Sequence, residues 1–569
     1  MTQLGESVAV TTIPEEKKEE STKEKLKIRF SLFFDGTLNN RSNIAEREQF
    51  ETGTTTKTYK TEGDGGNNSY DNGRTNIAIM EPHIEEVQDP YNFSFKIYIE
   101  GQGTFNTGDE KERGFLDGKK GDTTLGYAGG SGASGVAKRA KKGYQKAMLK
   151  LNTFLAQNPS TDFEIEKVDI DVFGFSRGAA TARYAIALML EDEGRPLKDH
   201  LEGKRYTSLT KETVEVKFAG LYDTVVSVNG SQYSYWADNK LKQQSVKLAK
   251  KTLHLAAAEE HRLDFPLHLI KSAKDANTGK EYFLPGVHAD VGGSYNLANE
   301  ALLDGNAPEN ATSTYKTIIA KGTIDAMNTK KTSLVDSGAY TLSQLEVDEN
   351  SQGVMGFFTK AKLLATKTLT GKQYMRATSE VDLLINIGLL SSLEIDKANL
   401  IAQGWYTEEE IEIATKKIVT AVAGAVVGGL VGGVTGAKIG AAIGASESAL
   451  IVNRENIKSA YSNIPLKIMA DYATKETELK INAKLKDRAN LILSKEIFLG
   501  YVEKDIEDYI ASIGNNSKPE DWLDDTEKWS PGFDIKKLRH DHLHMSSKMA
   551  VGYFPRFNAH KRKRYYYEG

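Results

Sequence analysis

The chain has 569 residues, 39% hydrophobic and 27% charged, with a net charge of -4. That is a soluble, globular composition long enough for roughly two to four domains, and its charge balance points away from nucleic acid as the main partner. There is no cysteine, which excludes disulfides, thiolate catalysis and Cys-ligated zinc.

Residues 1–8 lack a basic cluster followed by an apolar run, so no secretory signal is read there, and residues 1–27, ending in a mixed-charge stretch, read as a disordered tail. The first strand is predicted over 28–34 (IRFSLFF), stopped by Asp35-Gly36-Thr37. Residues 38–92 read mostly as loop, with one short helix near 77–87. A second strand spans 93–99 (FSFKIYI), then a Gly-rich stretch to 135 and a helical pattern over 136–155. A third strand, 168–173 (VDIDVF), runs into Gly174-Phe175-Ser176-Arg177-Gly178, and a helix follows over 179–190. The fourth strand is 214–221, ending at Tyr222-Asp223-Thr224. A helix is expected over 241–260, and a short strand over 283–285 leads to Gly286-Val287-His288. Strands alternating with helices predict an α/β fold, a mostly parallel sheet flanked by helices, over about 28–300.

Beyond 300 the strand patterns fade, and 301–515 is expected to be mainly helical. Inside it, 418–437 is uncharged, and glycines recur every fourth residue from 424 to 444. Such a small-residue face, spanning 418–445, fits a lid or hairpin entering a membrane, a tightly packed soluble helix pair, or a self-associating pore element. The remaining segment, 516–569, holds His540, His542 and His544, which would share one face of a strand and bind metal or simply form polar surface. It also holds the basic run 560–564, read as a solvated tail or a contact for anionic headgroups.

The reactive candidates fall just after strand ends, where open α/β sheets place their sites. The pentapeptide around Ser176 fits G-x-S-x-G. With 50 glycines in the chain the motif alone is weak, but a strand before it and a helix after it make it a nucleophile elbow. Gly174 and Gly178 would give room to a strained Ser176, and the Arg177 N–H would face a developing oxyanion. A serine hydroxyl needs a base, and the base needs an acid, in the chain order Ser, Asp, His for this fold. Asp223 and His288 meet that order, with Asp290 as the second choice of acid. His254, His261 and His268 compete with His288 but are expected on or beside a helix. A second oxyanion donor is sought in the backbone of Asp35 and Gly36. The same Asp35-Gly36-Thr37-Leu38 looks like the start of a haloacid-dehalogenase phosphatase, but the nucleophile position there is Phe33, and the reading fails.

Six blocks in order, FFDGTLNN, EGQGT, GFSRGAATAR, FAGLYDTVVSV, HLAAAEEHRLDF and PGVHADVGGSY, resemble the phospholipase effectors of bacterial type VI secretion systems over about 28–300. The resemblance implies an α/β-hydrolase fold and a triad of Ser176, Asp223 and His288. It implies hydrolysis of glycerophospholipid acyl esters of the phospholipase A type, with no metal and no cofactor. It further implies an antibacterial toxin made in the cytoplasm and carried by a secretion spike or tube component to a rival's membrane, with a cognate immunity protein guarding the producer. Two other readings stand beside it: a non-enzymatic pore former or membrane-anchored protein built on the glycine-rich segment, and a soluble esterase or thioesterase.

Overall fold

In the computed structural model, six strands form one parallel sheet. They are β1 (Glu24–Phe34), β2 (Phe93–Ile99), β3 (Phe163–Phe175), β4 (Val214–Tyr222), β5 (Lys251–Ala257) and β6 (Gly279–Leu284), in the order β2-β1-β3-β4-β5-β6. The structure describes residues 24–51, 53–54, 69–70, 72–104, 135–157, 163–191, 214–227, 240–295, 313–323, 390–415, 447–522, 530–548 and parts of 553–568. The glycine-rich segment 418–445 and residues 1–23 lie outside these.

The sheet is buried on both faces, and the alternation of side chains along each strand divides the core in two. Phe30, Leu32 and Phe34 of β1 and Ile170 and Val172 of β3 point to one side. There they meet α1 (Val136–Gln157) and α2 (Arg177–Leu190). Helix α1 buries Val136, Ala140, Tyr144, Ala147, Met148 and Leu151, the three- and four-residue spacing of an amphipathic helix. On the other side Phe33, Phe173 and Phe218 pack with residues from far along the chain, among them Leu466, Met469 and Ala473 of α4 (Asn463–Thr477). Each such buried Phe, Leu or Met side chain contributes roughly 1.5–3 kcal/mol. The second layer over the sheet is therefore supplied largely by the region after residue 300, together with Ile77, Ala78 and Met80 of the short helix Asn76–Met80. The short helix α3 (His288–Gly292) follows β6.

Several elements differ from the sequence reading. Strand β1 starts at Glu24, because Glu24, Lys25 and Leu26 pair with Phe163, Glu164 and Ile165 of β3 and Leu26 is buried. An unanticipated helix covers Arg41–Glu51. The largest difference is the helix expected over 241–260. A 3₁₀ turn, Gln243–Leu248, and then strand β5 occupy it. Strand β5 lies between β4 and β6 and is buried along nearly its whole length. A strand covered on both faces shows a continuous apolar run, which periodicity cannot separate from a helix.

The region after 300 contains the helices Leu390–Ala402, Asn463–Thr477, Lys484–Leu493 and Ile497–Ile513. It also contains an antiparallel sheet that the sequence did not announce, with Glu447–Ile457 between Ser313–Thr323 and Ile411–Thr415. Among the described residues no helix is long and apolar enough to cross a membrane.

Candidate functional site

The strand order reverses between β1 and β3, and at the carboxyl ends of these two strands sit Asp35 and Ser176. Ser176 joins β3 directly to α2. Its backbone is at φ +59° and ψ -128°, a conformation that a residue with a Cβ adopts only when its surroundings impose it. Those surroundings are visible. The Ser176 N–H donates to Tyr222 O at 3.0 Å, and the Val225 N–H donates to Ser176 O at 3.3 Å, so both sides of the turn are pinned to the end of β4. Gly174 and Gly178 are needed for a steric reason. A Cβ at Gly178 would run into the carbonyl oxygens of Phe34 and Asp35, and one at Gly174 would run into the backbone of Gly178 and Ala179.

Asp223 follows β4, also at positive φ (+42°), with its N–H bound to Leu255 O of β5 at 2.8 Å. Its Oδ2 lies 2.5 Å from His288 Nδ1. His288 opens α3, and its own N–H donates to Glu260 Oε2 at 3.2 Å. The imidazole is held between Phe175, whose ring centroid is 4.5 Å away, and Phe265, at 4.9 Å. Phe175 immediately precedes Ser176, so the ring of His288 is seated beside the elbow. All three candidates are buried, Ser176 and His288 retaining 4% and 5% exposure. Burial lowers the His288 pKa, with Asp223 pulling in the opposite direction. Burial would raise the Asp223 carboxyl, but the Arg564 guanidinium and His288 outweigh it and hold the group well below the usual carboxylate range. The pair therefore presents an ionised acid and a neutral base at neutral pH.

The other candidates are placed elsewhere. Asp290 accepts from the Val287 N–H at 3.0 Å and from His544, whose Nδ1 is 2.7 Å from Oδ1, so it serves the turn and not His288. His254 lies on β5, not on a helix. Its Nε2 accepts from the Thr224 N–H at 3.1 Å, which leaves Nδ1 to donate to Glu281 Oε1 at 2.8 Å. His268 sits in the two-residue strand Leu267–His268 and offers its carbonyl to Arg183. Burial drives His261 down to about 3.

Of the three backbone positions expected at the oxyanion, Arg177 is the first residue of α2. Its guanidinium, lowered to about 10 by burial, donates from Nε to Thr37 Oγ1 at 2.7 Å. The other two N–H groups already have acceptors. Asp35 N–H extends the β1–β2 ladder to Ile99 O at 2.9 Å, and Gly36 N–H donates to Asp35 Oδ1 at 2.7 Å. The Asp35 carboxyl also accepts from Thr75 Oγ1 at 2.7 Å and Tyr98 OH at 2.5 Å, yet burial pushes it up to about 6.

His540 and His542 lie on helix α5 (Ile535–His542), not on a strand, and His540 pairs with Glu410 and Asp541. No cluster of three or more metal-binding side chains is present among the described residues. Within the basic run, the two arginines whose side chains the structure describes are engaged inside the protein and not solvated. Arg562 is paired with Asp396 at 2.7 Å, and the buried Arg564 grips Asp223 through Nη1 and Nη2 at 2.7 and 2.8 Å. Sequence reading passed over Arg564 because 341 positions separate it from its partner, and a basic cluster carries no sign of burial.

Residues 191–316 match the family model for the catalytic domain of Tle1-like phospholipase effectors of the type VI secretion system. No curated protein matches the chain. Among solved structures, one of the Tle1 effector bound to the VgrG spike from the Type 6 secretion system is similar at 17% identity, over 96% of this chain and 94% of that one, with a TM-score of 0.46. An uncharacterized protein from Pseudomonas aeruginosa is similar at 16% identity, over 88% and 66%, with a TM-score of 0.30. Across the matched stretch, which carries both Asp223 and His288, the chain resembles the Tle1-like phospholipase effectors of type VI secretion systems.

Proposed function

We propose that this chain is a phospholipase effector of a type VI secretion system, a serine hydrolase that cleaves glycerophospholipid acyl esters with Ser176, Asp223 and His288. The observation that carries the reading is the buried Asp223–His288 pair, its imidazole packed on Phe175, the residue before a serine in strained backbone at the end of a parallel strand. In this reading His288 Nε2 takes the Ser176 proton, and Oγ attacks the acyl carbonyl. The Arg177 N–H, at the positive end of α2, stabilises the oxyanion. Collapse expels the lysophospholipid oxygen, which receives the proton from His288. Water, activated by the same imidazole, then releases the fatty acid. Asp223 keeps the proton on Nδ1 and steadies the imidazolium as it forms.

In this proposal the substrate lies in the membranes of a rival bacterium, a spike or tube component delivers the chain, and an immunity protein protects the producer. The test is mass spectrometry of phospholipid vesicles incubated with wild type and with Ser176→Ala. Wild type should yield lysophospholipid and free fatty acid, and Ser176→Ala should lose at least about 10³-fold of that rate. Equal product from both proteins would refute the assignment.

A further inference from the structure

We infer that Arg564 is a positioning residue for the Asp223–His288 pair, delivered by a strand-like segment that clips onto the sheet domain from the far end of the chain. The inference rests on the reading of that pair as catalytic. The Asp223 carboxylate is saturated, two bonds to each oxygen. Oδ1 accepts from Ala257 N–H at 2.8 Å and Arg564 Nη1 at 2.7 Å, and Oδ2 accepts from Arg564 Nη2 at 2.8 Å and His288 Nδ1 at 2.5 Å. The fork of the guanidinium fixes the plane of the carboxylate and therefore the direction in which Oδ2 meets the imidazole.

Arg564 is itself held rigidly. Its Nε donates to Phe265 O at 2.8 Å and its Nη1 to Ala257 O at 3.1 Å. The backbone after it runs parallel to 267–268. Leu267 and Leu269 N–H donate to Tyr565 and Tyr567 O, each at 2.8 Å, and Lys271 N–H donates to Glu568 O at 3.0 Å. Phe265 is also the edge-on neighbour of the His288 ring, so the same loop receives the arginine and lines the base.

A cation bound to the acid has a second consequence. The charged groups facing His288 are Asp223 and Glu260, which favour its protonation, and Arg262, which opposes it. Arg564 neutralises Asp223 and lies in the field of Glu260 as well. Asp290, on the same helix, is engaged with His544. Removing the guanidinium leaves the acid's charge unshared, so the pair takes up its proton at higher pH.

The experiment uses the full chain as Arg564→Lys and Arg564→Ala, assayed on a short-chain p-nitrophenyl ester. Proton NMR of the hydrogen-bonded His288 Nδ1–H is followed in parallel as a function of pH. Arg564→Lys keeps the charge but loses the fork, and kcat should fall about tenfold with KM within about twofold. Arg564→Ala should fall further, regain part of its rate with added ethylguanidinium, and show the His288 titration and the acid limb of kcat/KM raised by about one pH unit. Native kcat in Arg564→Lys, or an unmoved titration in folded Arg564→Ala, would overturn the inference. If Arg564→Ala fails to fold, the kcat and KM of Arg564→Lys decide. Should wild type hydrolyse no ester at all, the catalytic reading fails, while the NMR titration still reports on Arg564.

Discussion

At Ser176 the chain holds a non-glycine residue at φ +59°, a backbone state costing on the order of 1–3 kcal/mol. The Ser176 backbone is hydrogen-bonded to Tyr222 of β4, to Val225 just beyond it, and to Ala179 and Ala180 of α2, so the cost is borne by the packing of the sheet. Asp35, at the adjacent strand end, is held in the opposite sense to Asp223. It is buried with no paired cation among the described residues, and its pKa rises to about 6, so the folded state loses stability as pH rises from the unfolded value near 4 through about 6. Glu260 runs the other way. Burial opposes its charge, but Arg262 prevails and lowers it to about 2, so its contribution is present above about pH 4.5 and is lost as pH falls toward 2. Asp35→Asn should therefore gain stability relative to wild type as pH rises from 4 to 7, by on the order of 3 kcal/mol at most. Urea unfolding at the two pH values checks this, and a difference independent of pH would contradict it. The candidates for the proposed site were legible where chemistry and chain order are both local: Ser176 from its pentapeptide, Asp223 and His288 from their places after strands. The acceptors of the Asp35 and Gly36 N–H groups were not, because they come from the fold and not from the neighbouring sequence.

At the scale of elements, the elbow depends on how closely α2 approaches the end of β1. Gly178→Ala would press a methyl group against the Phe34 and Asp35 carbonyls, with backbone on both sides of the clash. A loss of about 1–3 kcal/mol, or more if β1 cannot shift, is expected by thermal or urea unfolding. A variant as stable as wild type would mean that β1 and α2 are further apart than described. Strands β1 to β4 were readable because each is a run of bulky or β-branched residues closed by a turn. Strand β5 was not, since Leu253, Leu255, Ala256 and Ala257 are buried on both faces and alanine favours helix by local propensity. The three-stranded antiparallel sheet was missed for a related reason: its strands are separated by more than 80 positions at the widest step, so no hairpin signal marks them.

At the scale of the molecule, the site is assembled from both halves of the chain. In the proposed triad, the matched stretch 191–316 holds Asp223 and His288, the turn between β3 and α2 holds Ser176, and the region after 300 covers much of one face of the sheet and supplies Arg564. Arg539 reaches Glu259 at 2.6 Å and His544 reaches Asp290 at 2.7 Å, so the turn that presents His288 is braced from the same region. Reading residues 28–300 as a self-sufficient hydrolase would leave those charges buried and unpaired, an arrangement that is strongly destabilising. The claim on which everything turns is that Ser176 is the activated hydroxyl. The most direct measurement is labelling of the full chain with a fluorophosphonate, followed by peptide mapping. The account predicts a single adduct on Ser176, absent from Ser176→Ala and strongly slowed in His288→Ala. An adduct on another serine, or none in a preparation that hydrolyses esters, would contradict it.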